Sequence, residues 1–334
     1  MGFYRLILAV LVALGHMGIM FFGVDLGYGV VAVISFLIIS GFVMTALIDK
    51  NYEEISRIPA FFADRAMRLY PQFIFYLVLS SVLIYTALSD SPVHEAITPI
   101  NLLSTVAMVP LGLYMFGFSD PNIIPQAWSL GLEMCFYLVI PFILIYRARL
   151  VLFYGSIVVF TLAFFGYIHS DWFGYRLLPG VLFIFLCGSF MKRGSASERF
   201  SVIAAWCVAL TGCILIATGY AAWRPYNLQV AAGIVIGIPM IMLLSRIPYH
   251  RADEFLGNIS YGVFLNHFLI IYAGKALGVS KISAELAVLY VASAFVLSGI
   301  SYYLAERPVL VLRKKLRAKS APSVSTPTLQ RSGL

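Results

Sequence analysis

Residues 3–22 read FYRLILAVLVALGHMGIMFF, an apolar run interrupted by Arg5 and His16. Twenty residues of helix are about 30 Å long, the thickness of a bilayer's hydrocarbon core. At 100° per residue, the eleven steps from Arg5 to His16 make three turns plus about 20°, so both side chains leave the same helical face. An ionisable group inside a span costs roughly 2.5 kcal/mol or more at the helix centre and marks a pathway or a site. A histidine alone in an apolar helix reads as a structural one; aligned with an arginine, it reads equally well as functional. The run has the length of a signal peptide but lacks a small-residue cleavage site, so it is expected to be retained.

The rest of the chain extends this pattern. Hydrophobic residues make up 61% and charged residues 11%, against about 45–50% and about 25% in soluble proteins. The expected fold is therefore an all-α integral membrane protein with about ten transmembrane helices, near 3–22, 29–48, 71–88, 128–146, 150–168, 174–191, 201–221, 228–244, 258–275 and 283–304. One more apolar run, 100–117, competes for an eleventh span. If it does not cross, 19 basic residues lie on the inner side and 4 on the outer; if it crosses, every later loop inverts and the basic tail moves outside. The positive-inside rule thus favours a re-entrant or interfacial segment, and both termini are expected in the cytoplasm. Pro99, Pro110, Pro121 and Pro125 suit a broken segment. The net charge of +8 suits anionic lipid and an anionic cytoplasmic ligand rather than nucleic acid. The four cysteines fall in spans without metal or redox spacing, so no metal is expected.

Three further stretches carry chemistry. In Arg65-Ala66-Met67-Arg68-Leu69-Tyr70-Pro71, arginines at i and i+3 share a face and can converge on one phosphate or pyrophosphate, although simple anchoring at the inner surface explains them too. In Trp128-Ser129-Leu130-Gly131-Leu132-Glu133, entry from the outside puts Glu133 about 7.5 Å deep. His16, about 20 Å from the inner end of its helix, falls about 10 Å from the outer face. The two are therefore expected at one depth, as a proton-handling pair. His267 lies near mid-span in the ninth helix and by itself reads as structural. Gly233 and Gly237 form a GxxxG that reads as close helix packing. Residues 1–308 are read as one transmembrane domain, and 309–334 as a basic, then Ser/Thr/Pro-rich, disordered cytoplasmic tail.

Four separated motifs together resemble the acyltransferase-3 family of bacterial polytopic membrane acyltransferases. They are Arg5 with His16; Arg65-x-x-Arg68-x-Tyr70-Pro71; Trp128-Ser129-Leu130-x-x-Glu133-x-x-Phe136-Tyr137 with Pro141; and Ser260-Tyr261 with His267, followed by Glu306-x-Pro308. The resemblance implies transfer of an acyl group, most often acetyl, from cytoplasmic acyl-coenzyme A to a hydroxyl of a sugar or lipid-linked glycan, such as O-antigen or exopolysaccharide, at the bacterial inner membrane. No permanently bound cofactor is implied; acetyl-CoA is a donor substrate. Some members carry an added extracytoplasmic SGNH-type domain. Only thirty residues follow residue 304 here, so acyl handling is expected within the membrane domain.

On this reading Arg5, Arg65 and Arg68 hold the donor's phosphates, and His16 and Glu133 are catalytic. His16 acts as general base, with a transient acyl-imidazole as an alternative. Trp128, Ser129, Tyr137 and His267 contact the acceptor. A proton-coupled transporter or glycan flippase, using His16, Glu133 and His267 as a relay, is the competing class.

Overall fold

The computed structural model describes residues 1–20, 27–248 and 250–320, of which 314–320 are described by backbone alone. Twelve α-helices run in order: α1 (Gly2–His16), α2 (Tyr28–Asn51), α3 (Ile58–Ala87), α4 (Pro99–Ala107), α5 (Trp128–Ile145), α6 (Arg149–Phe164), α7 (Leu178–Lys192), α8 (Ala196–Ala217), α9 (Asn227–Leu244), α10 (Arg251–Ala276), α11 (Ala284–Ser301) and α12 (Arg307–Ser320). Among the described residues there is no strand.

Among the described residues, eight helical stretches are long and apolar enough to cross a membrane. Each of the ten expected spans overlies a helix, but α1 and α6, at 15 and 16 residues, are shorter than a full crossing. The first run does not stay helical to Phe22. It stops at His16, where Met17 caps it and Gly18 takes a φ of +72° that a helix cannot continue; Phe21 and Phe22 lie outside the described residues.

The 100–117 run is broken. Helix α4 has nine residues and is followed by 3-10 turns at Val109–Phe116, Pro121–Ile123 and Pro125–Ala127, each with proline at its first or second position. Nine residues reach about 14 Å, under half a hydrocarbon core. Asn101 ties the segment to itself: its Nδ2 donates to the carbonyls of Ala96 and Asp120 (2.9 and 3.0 Å), and its Oδ1 accepts the Asp120 N–H at 2.8 Å. The segment dips beside α10, because Gln126 Nε2 donates to the Leu265 carbonyl at 2.6 Å, half-way along that helix. Helix α5 therefore starts deep in the bundle rather than at its edge.

Close packing sets the remaining neighbours. The Asp253 carboxylate, in the first turn of α10, accepts the N–H groups of Gly2 and Phe3 at 2.8 and 2.9 Å, which starts α1 and α10 at one level and makes them parallel. Helix α2 is the centre, packed on α1, α7 and α9. Gly41 lies against the Phe185 carbonyl and Gly188 against that of Ile38, so closely that a Cβ at either would collide with backbone. Gly233 and Gly237 sit on Ile34 and Ile38, the close packing that their spacing predicts. The basic stretch beyond Glu306 is helical through Ser320; the Ser/Thr/Pro-rich residues 321–334 lie outside the described residues.

Candidate active site

Two cavities meet inside the bundle. The first, of about 370 Å³, is lined by Arg5, Arg65, Arg68, Arg313, Glu133 and Tyr137 over an apolar floor from α2. The second, of about 400 Å³, is lined by His16, Trp128, Tyr175, Arg176 and Tyr226. Val33, Ser129 and Phe264 belong to both walls. We call them the basic and the aromatic cavity.

The basic cavity collects Arg5 of the first motif and the arginines of the second, most of them beside a carboxylate. Arg65 is paired with Asp64, Nη2 to Oδ2 at 2.5 Å, and Arg313 approaches the same carboxylate with Nε at 2.7 Å. Arg68 is ion-paired with the wholly buried Glu306 and lies over the Tyr261 ring, 5.4 Å from its centre. Arg65 and Arg68 thus face one cavity as their spacing predicts, each with a carboxylate beside it. Arg5 makes no side-chain hydrogen bond or ion pair among the described residues. Glu133 accepts hydrogen bonds from Ser40 Oγ and Tyr137 Oη, both at 2.6 Å and both on Oε1.

The aromatic cavity holds the histidine. His16 Nδ1 is 2.9 Å from His267 Nε2, with the rings 7° from parallel and their centres 5.1 Å apart. Phe268 leans on His16, with centres 4.9 Å apart. With Nδ1 engaged, Nε2 is the nitrogen left to serve the cavity. Arg176 is held by Asp171 (Nε to Oδ1, 2.6 Å) and lies over the faces of Trp128, Tyr175, Tyr226 and Tyr114, nearest Trp128 at 4.6 Å. It emerges from a π turn, Trp172–Arg176, which re-aims the side chain before α7 begins.

Two expected placements change. Glu133 and His16 do not share a cavity: because α5 starts deep, beside Leu265, Glu133 lies a turn below Ser129 in the basic cavity. His267, expected at the acceptor, is placed away from both cavities: it is fully buried, and its ring meets His16 instead. Trp128 lines the aromatic cavity, one of its faces covered by Arg176; Ser129 lines both cavities, and Tyr137 lies in the basic cavity with Glu133. Arg176, Arg313 and Asp64 were not singled out in the sequence. Their only local signals are an arginine beside Trp172 and Tyr175, one base among several after Pro308, and an acid directly before Arg65.

A family model described as an acyltransferase domain matches residues 3–305. The chain belongs to the acyltransferase-3 family. It is a multi-pass membrane protein, and both cavities are built almost wholly from the matched residues. Among curated relatives, it is 38% identical to an uncharacterized protein of Aquifex aeolicus (strain VF5) over 154 residues, which is 44% of this chain and 69% of that one. It is 24% identical over 278 residues to proteins of Staphylococcus aureus, strains COL and MSSA476, provisionally named O-acetyltransferases. There the match covers 73% of this chain but 46% of theirs, so the chain spans about half the length of those relatives. No solved structure matches it.

Proposed function

We propose that this acyltransferase-3 member moves an acyl group, acetyl in the first instance, from acyl-coenzyme A in the basic cavity to a sugar or glycan hydroxyl in the aromatic cavity. The observation that carries the reading is His16: its Nδ1 is engaged by His267, its Nε2 is free, and its cavity shares a wall with one lined by four arginines. The acceptance of a phosphate-bearing donor rests on the unpartnered Arg5 and on the guanidinium forks of Arg65 and Arg68. An acetyl group is supported by the names of the staphylococcal relatives.

In the mechanism, His16 is the Nδ1–H tautomer and donates to His267 Nε2. Its Nε2 takes the proton of the acceptor hydroxyl as that oxygen attacks the thioester carbonyl. The C–S bond breaks, the new ester keeps the acyl carbon, and the imidazolium returns the proton to the departing thiolate. Ser129 and Phe264, common to both cavities, flank the point where thioester and hydroxyl meet. Glu133, on the donor side, serves to hold Ser40 and Tyr137 in place. The transporter reading needs His16, Glu133 and His267 as one relay, and the division of these residues between two cavities counts against it.

The inner-side excess of basic residues supports a basic cavity open to the cytoplasm, with α1 and α6 completing ten crossings and both termini inside, in a bacterial inner membrane. The test is transfer of labelled acetyl from acetyl-CoA into glycans of membranes bearing the protein. Transfer that depends on His16 at matched protein level is expected; undiminished transfer by His16→Ala removes the mechanism.

A further inference from the structure

Arg313 stands on α12, outside the residues matched to the family. We infer that Arg313 is a donor-binding residue, and that α12 is a strap which the donor's phosphates draw from Asp64 onto themselves. The inference rests on the donor assignment made above.

The charge arrangement argues for it. Four guanidinium groups line the basic cavity: Arg5, Arg65, Arg68 and Arg313. Glu306 answers Arg68, and Glu133 is occupied by Ser40 and Tyr137. Asp64, only 2% exposed, serves two cations at once. Arg313 meets it fork to fork, Nε to Oδ1 at 2.7 Å and Nη2 to Oδ2 at 3.0 Å, while Arg65 holds Oδ2 from the other side. Four cations thus face three carboxylates, Asp64, Glu133 and Glu306, around a partly enclosed cavity, and such an excess is costly unless another anion completes the set. A diphosphate offers that anion, and it would compete with Asp64 for the forks of Arg313 and Arg65.

The backbone allows the movement. A π turn, Tyr302–Glu306, separates α11 from α12 and turns Glu306 inward to Arg68, so that α12 packs back on α3 beside the cavity mouth. Arg313 ties α12 to the buried carboxylate of α3, and that tie is the one the phosphates would exchange. A plain staple between α3 and α12 is the competing explanation, and it makes different predictions. It would act on folding and on turnover with every donor, not on phosphates alone. A lipid phosphate at the same level could also engage Arg313, so the lipid must be controlled.

The experiment measures coenzyme A binding to the purified full chain in neutral phosphatidylcholine nanodiscs and in anionic phosphatidylglycerol nanodiscs, for the wild type, Arg313→Ala and Arg313→Lys. It is paired with acetyl transfer in membranes from acetyl-CoA and from S-acetylpantetheine, which lacks the phosphates. We expect Arg313→Ala to weaken coenzyme A binding about tenfold to a hundredfold, to raise KM for acetyl-CoA without lowering kcat, and to leave turnover of S-acetylpantetheine at the wild-type level. Arg313→Lys should fall between. Unchanged coenzyme A binding by Arg313→Ala overturns the inference while leaving the donor site standing. Equal losses with both donors give the staple, and a defect confined to anionic bilayers gives the lipid. A wild-type protein that binds no coenzyme A removes the donor site itself, and the strap with it.

Discussion

His16 Nδ1 and His267 Nε2 lie 2.9 Å apart on α1 and α10, two parallel helices that Asp253 starts at the same level. In the proposed mechanism the contact directs the chemistry of His16, because engaging Nδ1 leaves Nε2 for the aromatic cavity. His267 itself lines neither of the two cavities, and in that mechanism its part is to position His16.

Replacing His16 by Ala should lower acetyl transfer by about 10²- to 10⁴-fold, the range for loss of a general base. His267→Ala should lower kcat with little change in KM for either substrate. His267→Gln, which can still accept a hydrogen bond from His16, should recover part of the loss. Steady-state rates in membranes matched for protein level decide this; a His267→Ala defect confined to KM would return His267 to the acceptor site.

Arg5 lines the basic cavity with no side-chain partner among the described residues, so its removal should cost binding and not folding. Arg5→Ala is expected to weaken coenzyme A binding by about tenfold or more, with an unchanged melting temperature in detergent. Calorimetric titration and a thermal melt on one sample test both halves.

Glu133 takes both of its hydrogen bonds on Oε1, and Gln offers the same oxygen. Glu133→Gln should therefore keep the fold and most of kcat, whereas Glu133→Ala leaves Ser40 and Tyr137 unsatisfied at a cost of about 1–3 kcal/mol. A kcat reduced a hundredfold or more in Glu133→Gln would restore a proton-handling role.

At Gly131, a Cβ would stand 2.2 Å from the Gly112 nitrogen and 2.7 Å from the Met108 carbonyl oxygen. Gly131→Ala should push the broken segment off α5, destabilising the protein by roughly 1–3 kcal/mol and impairing transfer through displacement of Trp128. A lowered melting temperature with proportionate loss of activity is the expected result. A Gly131→Ala protein as stable as the wild type would mean that the contact is not tight in the working protein.

A topology test addresses the orientation. Cysteine placed at Glu54 should react with a membrane-impermeant maleimide only after the inner face is opened, and cysteine at Ser119 in intact cells. The reverse pattern would invert the assignment of the two cavities to donor and acceptor.

Much of the architecture was legible in the chain. Hydropathy and length located every long helix, because burial in lipid demands continuous apolar runs with their backbone bonds satisfied internally. The prolines at 99, 110, 121 and 125, with the distribution of arginine and lysine, pointed to a segment that does not cross. Helical periodicity put Arg5 and His16 on one face. What it could not give was depth for Glu133, since that estimate assumed a helix starting at the membrane surface. Helix α5 begins instead where Gln126 reaches Leu265, a contact between residues 139 positions apart.

The residues with the ionisable groups, their faces on each helix and their family resemblance were thus determined by sequence alone, through patterns that repeat every 3.6 residues. Tertiary structure decided the partners: His16 with His267, 251 positions away, and Asp64 with Arg313, 249 away. Such pairings depend on how closely Gly2, Gly41 and Gly188 let helices approach, and on where a broken segment enters the bundle. Neither leaves a periodic trace along the chain.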